Sequence, residues 1–174
     1  MPKPSPTSYP GYFKKYIDQV PEEDLSIAFS NQHALINGFL SSISEDKSAY
    51  AYAAGKWTIK EVLQHMIDTE RIFNYRALCF ARKETASLPG FEENDYAANS
   101  NANSRTWKGL VDEFLAVRHA TELMFSSFAA EALANSGTSN NNAVTVESLG
   151  FITLGHFYHH KKVIEERYLG DANS

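Results

Sequence analysis

The chain has 174 residues, 43% hydrophobic and 21% charged, which supports one domain with a sizeable core and excludes a disordered chain. Its formal net charge is −5 and basic residues are interleaved with acids throughout, so no nucleic-acid partner is expected. No run of about 20 apolar residues is present to span a membrane; with no secretory pattern at the start and one cysteine, Cys79, which rules out an intrachain disulfide, the expected location is the cytoplasm.

Residues 1–10 carry four prolines and are expected as a flexible lead-in to a single domain over 11–170. Residues 12–20 allow a short helical turn before Pro21. The first long helix is expected to open near Pro21, with Glu22, Glu23 and Asp24 at the positive end of its dipole. Leu25, Phe29, Ile36, Phe39, Leu40 and Ile43 recur at helical spacing on one face. Residues 45–57 read as a connection. Thr58 followed by Glu61 matches a capping box and opens a second helix that ends near Lys83. At about 100° per residue, Val62, Met66, Phe73, Ala77 and Phe80 share one face of it, and Cys79 reads as a small core residue.

Residues 85–103, rich in Pro, Gly, Asn and Ser, read as a loop of a length that is often functional, with Phe91 and Tyr96 available to pack over the bundle end. A third helix is expected from Ser104 to Phe128, with Leu110, Phe114, Val117, Thr121, Met124 and Phe128 facing inward. The turn formers of NSGTSNNN break the chain. Thr145 then caps a fourth helix that stops at Gly170. Four amphipathic helices without strand alternation predict an all-α four-helix bundle, up-and-down or crossover.

Helical phase separates the six histidines. His156 and His160 are four residues apart and so lie one turn above the other, on the side of the fourth helix that carries Leu149 and Val163. Buried polar rings need partners, and His-x-x-x-His lets two ring nitrogens reach one metal ion. A third ligand has to come from another helix. His65 flanks the apolar face of helix two, beside Val62 and Thr69; His33 flanks that of helix one in a similar way and is the weaker competitor. His119 falls on the solvated side of helix three, and His159 lies to one side of the inward pair. Glu61 is a conceivable ligand that the capping box already accounts for. Asp68 is placed to accept the second N–H of His65.

The segments GKWTIKEVLQHMIDTERIFNYRALCFARKE, LPGFEENDYA and LGHFYHHKKVIEERY resemble the DinB-like superfamily, which includes the YfiT-type thiol transferases, in the same order over residues 12–168. The resemblance implies a DinB/YfiT-like four-helix bundle with one divalent metal ion, zinc or nickel, held by His65, His156 and His160. It also implies a homodimer. In some related families a glutamine follows the last histidine by three positions; here Val163 stands there.

Three neutral imidazoles leave positions open on an ion, the pattern of a catalytic site. The leading expectation, from the related thiol transferases, is a metal-dependent transferase joining a low-molecular-weight thiol to an electrophilic substrate. Arg76, Tyr75, Arg118 and Tyr158 are its candidate substrate-binding residues. An alternative is a metal-dependent hydrolase with metal-activated water, for which Glu61, Asp68 or His159 can accept the proton. A further alternative is a non-enzymatic bundle that the metal pins together and that acts through a partner. Imidazole alone does not choose among zinc, nickel, copper and iron.

Overall fold

Local sequence sets where each helix begins. In the computed structural model, which describes residues 3–170, Asp24 accepts backbone N–H bonds from Ser26 at 3.0 Å and Ile27 at 3.1 Å. That cap opens the first long helix, α2 (Leu25–Ser41), one turn past the expected start near Pro21. It follows a single turn, α1 (Lys14–Ile17). Another single turn, α3 (Glu45–Ser48), interrupts the expected 45–57 connection.

The capping box holds in both arms. Glu61 N–H donates to Thr58 Oγ1 at 3.1 Å, and Thr58 N–H donates to Glu61 Oε2 at 2.8 Å; α4 (Ile59–Ala81) follows. The expected loop over 85–103 contains a two-turn helix, α5 (Glu93–Asn99), that packs on α4. Thr106 caps α6 (Trp107–Ser126), so this helix also starts slightly past the expected Ser104. After one turn, α7 (Ala130–Leu133), comes a hairpin of β1 (Ser136–Ser139) and β2 (Asn142–Thr145). Thr145 then caps α8 (Val146–Ile164), which ends in a wider, π-helical turn over Glu165–Leu169.

The hairpin departs from the expected plain break, because its strands are polar and lack alternation. Its turn carries the signal instead. Asn140 and Asn141 both have positive φ, 47° and 60°, the backbone of a two-residue hairpin loop that asparagine tolerates well. Residues 3–10 also differ from the expected flexible lead-in. Tyr9 is buried, Ser8 O accepts from Thr145 N–H at 3.1 Å, and Lys3 Nζ donates to Val20 O at 2.6 Å. Residues 1 and 2 lie outside the described residues.

Around the bundle, α4 packs between α6 and α8, and α2 packs against both of the same helices from the other side. Consecutive long helices α2 and α4 are therefore diagonal, which is a crossover arrangement. The apolar core is in two clusters, one with Leu25, Phe73, Phe80, Phe125 and Phe151, the other with Ile36, Leu63, Leu110, Phe114 and Phe157. Along every long helix the stretch between the clusters is polar and buried: Gln32, Thr69 with Glu70, Arg118 with Thr121, and Thr153 with His156. No helix of the described residues is long and apolar enough to cross a membrane.

Candidate metal centre

The capping box sets the phase of α4 and turns His65 toward α8. On α8, His156 and His160 follow one another by a turn. Helix α8 lies close to α1 because residue 155 is glycine: a Cβ there would sit 2.1 Å from the backbone oxygen of Tyr16. This approach places the Tyr16 ring edge-on to His156, with centroids 5.6 Å apart, and to His159, at 5.2 Å. Trp57 covers His65 at 5.0 Å between ring centroids.

The three imidazoles converge through one kind of atom. His65 Nε2 is 3.2 Å from His156 Nε2, and His160 Nε2 is 2.9 Å from the same atom. One ligand atom from each ring lies within 4.8 Å of the other two. Two nitrogens bound to one ion at about 2.0–2.1 Å are spaced by about 2.9–3.4 Å, so this set fits a divalent metal. The donor chemistry fits too. In a neutral imidazole each ring nitrogen carries either one proton or one lone pair, so His156 Nε2 can serve only one of its two neighbours well. A cation at the common focus removes that conflict. Burial holds His65 in its neutral form, with its pKa pushed down to about 4. Burial and the neighbouring histidines push His156 and His160 well below the ordinary value, so all three have lone pairs available at neutral pH.

His65 and His156 form part of the wall of a cavity of about 360 Å³. Tyr12, Phe13, Lys15 and Tyr16 close one side, and Thr69, Phe73 and Arg76 of α4 another. Residues 90–94 and the hairpin residues Ser139, Asn140 and Val144 complete it. Residues 90–94 of the segment 85–103 thus form part of the pocket wall. Behind His156 lies a buried ionic network. Arg118 grips Glu70 through two bonds, Nε to Oε1 at 2.9 Å and Nη2 to Oε2 at 2.8 Å. It also donates to Gln32 Oε1, while Thr121 Oγ1 donates to Glu70 Oε1 at 2.6 Å.

Of the expected substrate-binding residues, Arg76 faces the cavity and three others do not. Arg118 is 1% exposed and is held by Glu70; it is a core cation whose charge helps to keep His156 neutral. Tyr75 is exposed on an outer groove with Arg71 and Tyr96. Tyr158 packs on the apolar cluster with its phenol beside Gln32.

Of the proton-accepting candidates, Glu61 and Asp68 are held elsewhere, while His159 stays beside the cluster. Glu61 is held by Thr58 at the start of α4. Asp68 accepts from Gln64 Nε2 at 2.9 Å and faces Arg71 rather than bonding His65; at three residues beyond His65 it lies on the flank toward α6. His159 stands at the rim, its ring centroid 5.0 Å from that of His160. His33 is half exposed and pairs with Glu122 at 3.6 Å, away from the triad, and His119 is exposed. Sequence reasoning does not single out Tyr16, Thr69 or the hairpin residues as parts of the site. Thr69 alone carries a signal, one turn beyond His65 on the same face.

A family model described as the DinB superfamily matches residues 28–164, a span that holds all three histidines. The chain belongs to the DinB superfamily. Among solved structures, YfiT from Bacillus subtilis, described as a probable metal-dependent hydrolase with an unusual four-helix bundle topology, is similar in fold. The TM-score is 0.72 at 15% sequence identity, over 98% of this chain and 100% of that one. This DinB-superfamily chain therefore shares its helical arrangement with YfiT at the level of fold. No curated protein matches the chain.

Proposed function

We propose that this DinB-superfamily protein is a metal-dependent transferase that joins a low-molecular-weight thiol to an electrophilic substrate. The observation that supports it is the convergence of three neutral imidazoles, two of which line a cavity large enough for a small molecule. A purely structural ion would call for a closed shell, and here the ligand cluster borders open space. His65, His156 and His160 would hold the ion. When bound there, a divalent ion lowers the pKa of a thiol or water and so supplies a nucleophile at neutral pH.

The remaining work falls to the chain itself. Phe13, Phe73 and Leu149 give one part of the cavity an apolar lining, and Tyr16 buttresses His156 through its edge-on contact. Cys79 is not among the cavity residues, so the thiol would come from a cosubstrate. A second reading, hydrolysis, draws on the description of YfiT as a probable metal-dependent hydrolase and needs the same ligands.

Transfer of a thiol such as cysteine, bacillithiol or mycothiol to monochlorobimane by zinc- or nickel-loaded protein tests the proposal. Turnover that requires thiol and is lost in His156→Ala is expected. Absence of turnover with every thiol would remove it, and ester or amide cleavage independent of thiol would favour hydrolysis.

A further inference from the structure

Besides histidines, three basic side chains are buried among the described residues, and two have acidic partners. Arg118 is paired with Glu70 and Lys60 with Glu45. Arg76, 5% exposed, has no carboxylate partner among the described residues. Burying an unpaired charge is costly, and a guanidinium stays charged even when desolvated. One of its N–H groups donates to Pro89 O at 2.7 Å. Arg76 lines both the outer groove with Tyr75 and the cavity that contains His65 and His156, where its guanidinium lies near Tyr12.

Resting on the reading of that cavity as the substrate site, we propose that Arg76 anchors the carboxylate of an elongated, partly apolar substrate whose other end reaches the histidine cluster. The fork geometry of guanidinium matches a carboxylate through two parallel bonds. The exposed Glu92 and Glu93 offset Lys15 around the same cavity, which favours a single negative charge over a phosphate dianion. Arg76 follows His65 by eleven positions on α4, about 16 Å along the axis at the helical rise. Phe73 lies between them, so the ligand needs an apolar body to span the distance. Thr69 Oγ1, buried and without a partner among the described residues, offers that body one hydroxyl along the way.

Calorimetric titration of zinc-loaded protein with 6-phenylhexanoate and with its neutral primary amide tests this without any turnover. A charge-assisted pair of this kind corresponds to a preference of roughly ten-fold or more, and the acid is expected to bind tighter than the amide by that factor. Arg76→Gln should reduce the preference to about two-fold or less while zinc content stays unchanged. Arg76→Lys, which keeps the charge and loses the fork, should fall between and covers the case in which the glutamine variant does not fold. Equal affinity for acid and amide, binding of neither, or a preference that survives in Arg76→Gln would each overturn the anchor. Protein that takes up no zinc yet prefers the acid would support the anchor and remove the metal reading.

Discussion

At the scale of single residues, the centre depends on imidazoles that stay neutral. His65 is 5% exposed and its pKa is pushed down to about 4 by burial, while in the unfolded chain it returns to about 6.5. Between those values the unfolded state binds a proton that the folded state does not, so stability falls as pH drops through that window. For the metal-free protein the loss from His65 alone is on the order of 3 kcal/mol by pH 4, and His156 and His160 act in the same direction. Urea midpoints of chelator-treated protein should therefore fall between pH 7 and pH 5, and fall less in His65→Gln. A flat midpoint would contradict the burial of these rings. His156 and His160 were legible because they share the face of Leu149; His65 was one of two flanking candidates, and the family resemblance selected it over His33. Arg118 was not legible: its burial depends on Glu70, 48 positions away, and nothing local in either segment announces that pair.

At the scale of elements, helix starts were legible wherever a side chain caps them, as at Thr58 and Thr145. They drifted by up to a turn where another polar residue took over, as Asp24 does after Pro21 and Thr106 after Ser104. Segment 85–103 hid α5 because its turn formers outweigh one short helix that is held by packing on α4. The hairpin was hidden for the opposite reason, since its Asn-Asn turn was visible and its strands were not. Close packing of α1 on α8 depends on Gly155. Gly155→Ala would place a methyl group against backbone rather than a mobile side chain, and overpacking of this sort costs about 1–3 kcal/mol. We expect a loss near the upper end of that range in chemical denaturation. An unchanged midpoint would show that α1 can move away from α8 freely.

Across the whole molecule, two apolar clusters close the ends of the bundle and a polar layer crosses its middle, with one or two residues from every long helix. Such a layer is expensive unless its members satisfy one another. Glu70, Arg118, Gln32 and Thr121 do so by hydrogen bonds. The three histidines beside them converge instead on a single point, where His156 Nε2 faces two other ring nitrogens and can pair well with only one of them. The fold therefore stabilises the metal-free histidine cluster incompletely, and an ion shared between α4 and α8 would complete the layer. The most direct measurement is elemental analysis of protein purified without a metal-affinity tag. About one zinc or nickel ion per chain is expected, lost in the His65→Ala and His156→Ala double variant while the helical circular dichroism persists. Full metal occupancy in that variant, or none in the parent after incubation with either metal, would contradict the shared ion.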